Sequence, residues 1–295
     1  LGGDEPDVYV LELSSFQLKR TLNLPASVSV LLNISPDHLD WHGSFDDYAA
    51  CKYRIFREAK AAVVDRADPQ ALETVADIER VVSFGMDAPE QGHFGIRIED
   101  ERRFLAYGDR LLIATDEMGL FGLHNQANAL AALAAGELLD IRHASMLEVL
   151  VEFPGLPHRM QFVAQKDDVN YVNDSKATNV DAAIAAVNSV EGKVVLIAGG
   201  DGKGGDFAAL AAAIEAKLAG AVLIGRDAEA IGEALDEMTP RRFAGDMGEA
   251  VAEAAALAAP GMTVLLAPAC ASLDQYTNYG ARGDAFVEAV RELRV

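Results

Sequence analysis

The apolar and polar positions of the chain predict short buried strands in its first part. DVYVLEL (7–13), SVSVLLN (27–33) and AAVVD (61–65) are compact apolar runs, rich in β-branched residues and bounded by turn residues. Runs of this length and composition are typical of strands that are buried on both faces. We therefore predict that these three segments contribute strands to a sheet.

A capped helix, a group of short strands and a long helix are predicted next. Ser44 with Asp47 three residues later has the spacing of a capped helix start, and we predict a helix over FDDYAACKYRIFREA (45–59). Residues 80–115 contain the short runs VVSFG, FGIRIE, RFLAYG and RLLIAT, which predict a small antiparallel sheet. The alanine-rich segment 124–140 predicts a long helix, and a second helix follows it.

The later part of the chain alternates regularly between strand-like and helix-like segments. FPGLPHRM (153–160), with two prolines and a glycine, is the best linker candidate. After it, VNYVN, KVVLIAGG, AVLIG and TVLLAPA predict strands with helices between them, which indicates parallel βαβ units. We predict an α/β protein with domains at 1–154 and 155–295: a mostly parallel sheet with a small antiparallel excursion, then a Rossmann-like domain.

Composition and charge exclude several classes of partner. The 295 residues carry a formal net charge of -21, which argues against binding to nucleic acid. No apolar run approaches the about 18 residues of a membrane span, so we predict no membrane insertion. The two cysteines lack metal-binding spacing and favour a reducing compartment. We expect a cytoplasmic monomer.

Polar residues follow three of the predicted parallel strands where each strand ends. The segment NDSKATN (173–179) carries Lys176 and Thr178, the glycine-rich segment carries Lys203, and PACASLDQ carries Ser272. Ligands of parallel α/β sheets collect outside the carboxyl ends of the strands. We therefore expect the two ammonium groups and two hydroxyl groups to converge on one small anion, for which a dicarboxylate is well suited.

The glycine-rich segment VVLIAGGDGKGGDF has two possible interpretations. Three of its glycines fit the pattern G-x-G-x-x-G: Gly200, Gly202 and Gly205. With Asp227 near the end of the next strand, this pattern resembles a dinucleotide fingerprint, although a tight strand-to-helix turn also requires glycines. Asp201 and Lys203 inside the loop weigh against a pyrophosphate, because a carboxylate beside it would repel it.

The segment NISPDHLDWHG (33–43) is a candidate metal site. Four of its side chains could ligate a metal: Asp37, His38, Asp40 and His42. Glu12, at the end of a predicted strand, could join them, and a carboxylate-rich set favours Mg²⁺. The alternative is an ordinary polar loop. Lys52 on the following helix is either a solvated charge or, if it faces this loop, a paired or modified lysine.

Two further residues have open interpretations. Arg159, beside the predicted linker, could clamp a phosphate in a bidentate fork or form an interdomain salt bridge. Cys270 has no histidine near it in sequence, which makes it a poor nucleophile candidate.

Taken together, the motifs resemble the ATP-dependent Mur ligases of peptidoglycan synthesis over essentially the whole chain. They are ELSSFQL, NISPDHLDWHG with Lys52, HNQANALAA, GLPHRMQ, NDSKATN, GGDGKGGDF and PACASLDQY. The resemblance implies a central ATP- and Mg²⁺-binding domain followed by an amino-acid-binding domain. ELSSFQL and PACASLDQ are similar to the members that join D-glutamate to UDP-N-acetylmuramoyl-L-alanine through an acyl phosphate, and the DNPR signature of another member is absent.

The resemblance also implies roles for residues of the metal and nucleotide sites. Glu12 and His38 resemble Mg²⁺ ligands, and Lys52 resembles a lysine that the family carbamylates, which turns a cation into an anion beside the metal. The residues that resemble ATP contacts are Asn125, Asn128, Arg159 and Asp174.

A second set of residues resembles the D-glutamate pocket of the family. These residues are Lys176, Thr178, Lys203, Ser272, Leu273 and Tyr279. Asp201 resembles a residue that orients Lys203 or helps the incoming amine to lose its proton. The dinucleotide-type pattern would then reflect the fold and not a cofactor.

The chain departs from the family pattern in its first part. It contains neither the Walker-A-like string nor the UDP-binding domain, so we expect both to lie upstream of Leu1 and this chain alone to be inactive. Two other classes stay open: a nicotinamide-dependent oxidoreductase using the glycine-rich segment, and a non-enzymatic module that binds acidic amino acids. Folylpolyglutamate synthetases share the ligase chemistry but would not be expected to carry PACASLDQ.

Overall fold

A computed structural model describes residues 6–35 and 37–293, and it has the mixed α/β architecture that the sequence predicts. The chain divides into two compact units that alternate along the sequence. Unit 1 is Leu1–Glu117 with Ala127–Val149, and unit 2 is Met118–Gln126 with Leu150–Val295. The predicted domain ranges 1–154 and 155–295 stay a prediction. No helix in the described ranges is long and apolar enough to cross a bilayer.

Unit 1 contains a parallel sheet. Its described strands are β1 (Ser29–Leu31), β2 (Ala61–Asp65) and β3 (Arg80–Phe84), in the order β1-β2-β3. The central strand β2 is buried over residues 61–64, as expected for an apolar run that is covered on both faces. Strands were therefore predicted correctly at 61–65 and, over a longer range than observed, at 27–33.

The predicted strand at 7–13 is wrong. These residues have no regular secondary structure, and no backbone hydrogen bond joins them to any residue that the structure describes. Four of their apolar side chains are exposed, with 93% exposure at Val10. The compact apolar run matches a buried strand, but a strand also needs a neighbour for its backbone groups.

A second, antiparallel sheet in unit 1 confirms most of the predicted excursion. It is formed by β4 (Phe94–Glu99), β5 (Arg102–Tyr107) and β6 (Arg110–Ala114). The run VVSFG was wrongly assigned to this sheet. It belongs to β3 and pairs in parallel with β2, because its buried residues pack against the first sheet.

The predicted helix start at Ser44 is confirmed. Ser44 accepts a hydrogen bond from the Asp47 amide and starts α3 (Phe45–Tyr53), which ends earlier than predicted because a 3₁₀ turn follows at Arg54–Phe56. The structure also has the unpredicted helices α1 (Ser15–Arg20), α2 (Leu39–His42) and α4 (Pro69–Thr74), and the predicted pair α5 (Leu123–Leu138) and α6 (His143–Glu152), each of which has residues in both units.

Unit 2 is built on a sheet with the order β11-β10-β9-β12-β8-β7 in its described residues. All neighbouring pairs are parallel except β7 with β8. The strands β7 and β11 were not predicted, because their residues are partly exposed and lack an apolar run. The strands are β7 (Gln161–Lys166), β8 (Val169–Asn173), β9 (Val194–Gly199), β10 (Leu218–Ile224), β11 (Arg241–Phe243) and β12 (Thr263–Leu266).

Helices cover both faces of this sheet. Along β9, Leu196 and Ala198 face one apolar core while Val195 and Ile197 face the other. The first core also contains residues of α7 (Val180–Ser189), α8 (Phe207–Ile214) and α9 (Ala228–Ala234). The second contains residues of α10 (Met247–Leu257) and α11 (Tyr279–Glu292). The Rossmann-like arrangement that the alternation predicted is therefore present.

A glycine at the end of β9 allows this strand to approach β10 closely. Gly199 has φ 126°, and a β-carbon built on it would overlap the backbone carbonyl of Ile224. We predict that Gly199→Ala lowers the free energy of unfolding by about 3 kcal/mol, since both the conformation and the space exclude a side chain. Urea unfolding followed by circular dichroism measures this loss.

The matched control for that measurement is Gly245→Ala. Its β-carbon would meet the Glu249 carboxylate at 3.5 Å, an ordinary contact. This change should cost less than about 0.5 kcal/mol. Equal losses at the two glycines would contradict the close approach at Gly199.

Candidate functional site

In unit 1, three residues of the predicted metal site line one pocket. Glu12, His38 and Lys52 lie around a cavity of about 370 Å³ together with Asp37 and Tyr48. Glu12 comes from the segment before α1, His38 from the turn before α2, and Lys52 from the last turn of α3. The pocket therefore collects side chains that are up to 40 residues apart in the sequence, as the motifs suggested.

His38 is held at the rim of this pocket by its own turn. Its backbone has a left-handed conformation with φ 52°, and its amide donates to the Asp37 carboxylate at 2.8 Å. The His38 Nε2 atom lies 3.4 Å from the other oxygen of that carboxylate. Asp37 thus contacts both the backbone and the ring of His38, which restricts where the imidazole can point.

His42 does not line the pocket, contrary to the candidate metal set. It is 6% exposed, and its Nε2 atom lies 2.9 Å from the Ser15 hydroxyl. Its ring packs against the rings of Phe16, Trp41 and Tyr48. Burial lowers its pKa, so the imidazole is neutral near pH 7 and serves packing.

The pocket suits a hard cation in its donor chemistry. The Glu12 and Asp37 carboxylates supply oxygen atoms and His38 supplies nitrogen, which are ligands that Mg²⁺ accepts. No three His, Cys, Asp or Glu side chains cluster tightly enough to hold a metal by themselves among the described residues. A carbamate on Lys52 would add two oxygen atoms to the same pocket.

In unit 2, three loops meet at the carboxyl ends of neighbouring strands. The strands β8, β12 and β9 lie side by side and run parallel, so the segments after them emerge at one edge of the sheet. The Ala269 amide donates to the Ala177 carbonyl at 3.0 Å, and Asp201 pairs with Ala271 through two backbone hydrogen bonds of 2.9 Å. The predicted convergence of these loops is thus present.

The polar segment after β8 divides its residues between the core and the ligand side. Asn173 and Ser175 are fully buried, whereas Asp174, Lys176 and Thr178 are half-buried. Asn173 donates to Gly283 and accepts from the Ser175 amide, so its side chain serves the fold. Buried and half-buried residues thus alternate along this segment. The strand end carries many polar residues because the buried ones bond to the protein and the half-buried ones remain accessible.

A buried arginine that the sequence did not indicate joins the three loops. Arg282 on α11 is 1% exposed, and its guanidinium donates to both the hydroxyl and the carbonyl of Ser175 at 3.0 Å. It also donates to the carbonyls of Cys270 at 3.1 Å and Gly199 at 3.4 Å. No carboxylate hydrogen-bonds to it in the described ranges, and burial lowers its pKa to about 10. The guanidinium stays charged at neutral pH.

The two site lysines have no carboxylate partner in the part of the chain that the structure describes. The Lys176 ammonium lies 4.5 Å from the centroid of the Tyr279 ring, a cation–π contact. Lys203 lies in a left-handed turn with φ 50° and is exposed. No carboxylate oxygen lies within 4.0 Å of either ammonium group. Both cations are therefore available to an anionic ligand.

The remaining predicted pocket residues surround the same loops. Ser272 is 3% exposed and Leu273 is 67% exposed, so the loop after β12 buries its hydroxyl and presents its apolar side chain. Tyr279 begins α11 and its carbonyl accepts from the Ser175 hydroxyl at 2.7 Å. Thr178 lies one residue before the α7 cap, Asn179.

Four backbone amides of the glycine-rich loop donate to acceptors of the protein itself, which argues against a dinucleotide. The Gly202 amide donates to the Asp227 carboxylate at 2.6 Å, and the Lys203 amide donates to Asp201 at 3.2 Å. The Asp201 amide donates to Ala271, and the Gly205 amide to Gly202. A pyrophosphate would need such donors. The Asp227 carboxylate, which would bind a ribose in a dinucleotide site, accepts a hydrogen bond from the loop.

Asp201 pairs with an arginine that the sequence did not indicate. Its carboxylate lies 2.9 Å from the Arg226 guanidinium, which comes from the loop after β10. The two residues are 25 positions apart, so spacing along the sequence gave no signal of the pair. Asp201 was expected to orient the Lys203 side chain, but it accepts from the Lys203 backbone amide.

Asp174 and Arg159 lie close together beside the segment that precedes β7. The Met160 amide donates to the Asp174 carboxylate at 3.3 Å, and the Arg159 charge acts on the same carboxylate. Burial nevertheless raises the pKa of Asp174 to about 6. Asn125 and Asn128 lie three residues apart at the start of α5, on one helix face, and the Asn125 side chain donates to the Phe121 carbonyl at 2.8 Å.

Two protein-family models match the chain. The Mur ligase middle domain matches residues 2–136, and the Mur ligase, glutamate ligase domain matches residues 158–270.

Curated relatives are similar over almost the whole chain. The UDP-N-acetylmuramoylalanine–D-glutamate ligase of Pseudomonas fluorescens is 45% identical over 98% of this chain and 66% of its own length. The enzyme of the same name from Methylobacillus flagellatus is 47% identical, over 99% of this chain and 65% of its own length. The chain thus spans a little under two thirds of these relatives.

Solved structures share the fold at low sequence identity. The UDP-N-acetylmuramate-alanine ligase of Thermotoga maritima has a TM-score of 0.60 and 18% identity, over 94% of this chain and 62% of its own. The MurF ligase of the same organism, in complex with ADP, has a TM-score of 0.62 and 18% identity, over 91% of this chain and 63% of its own. A folylpolyglutamate synthase/dihydrofolate synthase from Yersinia pestis, complexed with AMPPNP and Mn ion, has a TM-score of 0.59 and 23% identity, over 92% of this chain and 62% of its own.

The raised pKa of Asp174 predicts a pH-dependent effect of its removal. Because the native state holds this proton more tightly than the unfolded state, the carboxyl group loses its stabilising contribution as pH rises through about 6. Asp174→Asn should therefore raise the free energy of unfolding at pH 8 by about 2 kcal/mol and have little effect at pH 4. Urea unfolding at both pH values measures the difference.

Glu233→Gln on α9 is the control for this experiment, since it removes one exposed negative charge. It should change stability by less than about 0.5 kcal/mol at either pH. A loss of stability for Asp174→Asn at pH 8 would contradict the cost of burying this carboxylate.

Proposed function

The chain belongs to the Mur ligase family, and on that premise we propose that the protein joins D-glutamate to UDP-N-acetylmuramoyl-L-alanine at the expense of ATP. The substrate carboxylate attacks the γ-phosphorus of ATP, which forms an acyl phosphate and releases ADP. The amine of D-glutamate then attacks the acyl carbon, phosphate leaves, and an amide bond forms with loss of a proton from the amine. The relatives named for this reaction support the choice of substrates.

The observation that best supports this function is the pair of uncompensated lysines at the carboxyl edge of the unit 2 sheet. Lys176 lies on the loop after β8 and Lys203 on the loop after β9, two strands that β12 separates, and no described carboxylate pairs with either ammonium. D-Glutamate carries two carboxylates, so two cations on a preformed edge match its charge. Thr178, Ser272, Leu273 and Tyr279 complete this proposed amino-acid pocket.

The proposed nucleotide contacts are Asp174, Arg159, Asn125 and Asn128. Arg159 is exposed and can meet a phosphate, while Asp174 is set in a position where burial favours its protonated form. ADP and AMPPNP in the solved structures of similar fold support a nucleotide for this chain. Since ATP and UDP-linked sugars are cytoplasmic metabolites, we place the reaction in the cytoplasm.

The unit 1 pocket is the proposed Mg²⁺ site. Glu12, His38 and a carbamate on Lys52 would hold the ion, which offsets negative charge where phosphate and carboxylate approach each other. Lys52 is half-buried and has no carboxylate within 4.0 Å in the described residues, so its amine is open to carbamylation. The Mn ion in one solved structure of similar fold supports a divalent metal.

An assay of ADP release tests this function in the protein at its natural length. Release should require both UDP-N-acetylmuramoyl-L-alanine and D-glutamate, and L-glutamate should not replace the D-enantiomer. Lys52→Ala should lower turnover at least about 100-fold, since it removes a group that stabilises the transition state. Acetate or formate should restore part of the activity, because a small carboxylate can occupy the place of the carbamate.

Lys60→Ala, which removes an exposed lysine of the same unit, is the matched control and should keep full activity. Titration with Mn²⁺ followed by electron paramagnetic resonance gives a readout independent of turnover, and Lys52→Ala should weaken this binding. Release of ADP without any dependence on D-glutamate would reject the function. Full turnover in Lys52→Ala would reject the carbamate alone.

A further inference from the structure

Asp201 is a potential competitor for the substrate at the proposed amino-acid pocket. It lies two residues before Lys203 in the same loop, and its side chain is 28% exposed. A carboxylate that close to an exposed ammonium is a natural ion-pair partner. If Asp201 bound the Lys203 ammonium, an incoming carboxylate would first have to displace it.

Arg226 occupies the Asp201 carboxylate instead. The Arg226 Nη1 atom lies 2.9 Å from Asp201 Oδ2, while Asp201 Oδ1 accepts the Lys203 backbone amide at 3.2 Å. Both oxygen atoms of the carboxylate thus have donors, and neither donor is the Lys203 side chain. In the described ranges, the Lys203 ammonium has no carboxylate partner.

The backbone around Arg226 is held by contacts with the neighbouring loops. The Arg226 amide donates to the Asp274 carboxylate at 2.9 Å, and the next amide, from Asp227, donates to the Gly200 carbonyl at 3.0 Å. A β-carbon on Gly225 would lie 2.8 Å from the Gly200 Cα atom, so the two loops are in close contact. The Arg226 side chain therefore starts beside the Asp201 loop, and although it is 62% exposed its guanidinium reaches the Asp201 carboxylate.

We propose that Arg226 is a positioning residue that holds Asp201 away from the Lys203 ammonium and thereby keeps that lysine available to a carboxylate of the acidic amino acid. This inference rests on the proposed function for the identity of the ligand. Arginine suits the task because its guanidinium stays charged and its planar fork fixes a carboxylate in direction. Lysine at this position would hold Asp201 with less geometric restraint.

Two measurements on Arg226→Met, made in the protein at its natural length, test the proposal. The first is the rate at which trinitrobenzenesulfonate modifies Lys203, followed by peptide mapping. The variant should react more slowly than the wild type, because Asp201 would then pair with the Lys203 amine and shield it. The second is D-glutamate binding by calorimetry, where the Kd should rise about fivefold. Arg226→Lys should restore part of both values.

The double variant Asp201→Asn/Arg226→Met separates this role from a direct contact between Arg226 and the ligand. Once the carboxylate is gone, Arg226→Met should have no further effect on the labelling rate or on the Kd, relative to Asp201→Asn. Arg242→Met, which removes an exposed cation from β11, is the matched control and should match the wild type. Circular dichroism verifies that all variants fold.

Unchanged labelling of Lys203 in Arg226→Met would overturn the proposal. Additive effects of Asp201→Asn and Arg226→Met on the labelling rate and the Kd would overturn it as well. If the wild type binds no D-glutamate, the proposed function fails. The labelling rates still decide the role of Arg226 in that case, because they require no ligand.

Discussion

The site in unit 2 depends on one buried guanidinium. Arg282 donates to Ser175, Gly199 and Cys270, which follow or end three neighbouring strands. Carbonyl groups at strand ends have no ladder partner, so the arginine satisfies acceptors that burial would otherwise leave unpaired. Arg282 has no carboxylate partner in the described ranges, so burying its charge costs free energy of folding. Its hydrogen bonds to the three loops together offset that cost.

The same edge of the sheet presents two cations without a carboxylate partner in the described residues, although the protein as a whole is strongly acidic. The net charge of -21 is spread over the chain, whereas Lys176, Lys203 and Arg282 lie on or beneath the loops that converge. Arg226 neutralises Asp201, the carboxylate nearest to Lys203 in sequence. Two available ammonium groups in an acidic protein suit a small anion better than a polyanion, because the carboxylates around them would repel a polyanion.

Sequence patterns predicted the features that depend on residues close together in the chain. The alternation of apolar runs predicted the parallel strands, and the polar ends of β8, β9 and β12 predicted that the loops carrying Lys176 and Lys203 emerge at one edge of the sheet. They did not predict Arg282, because an arginine on an amphipathic helix is normally solvated and its acceptors lie up to 107 residues away. The prediction of a strand at 7–13 failed for the same reason. The residue pattern of this segment suits a strand, but it holds no information about whether a neighbouring strand is present.

Hydrogen exchange followed by mass spectrometry tests most directly whether Arg282 holds the site together. We compare the wild type with Arg282→Met, which keeps the length of the side chain but removes all its donors. Amides in 174–178, 199–205 and 269–274 should exchange faster together, while those of β10 and β11 should keep their protection. Exchange that rises only within α11, or in none of the three loops, would contradict the account.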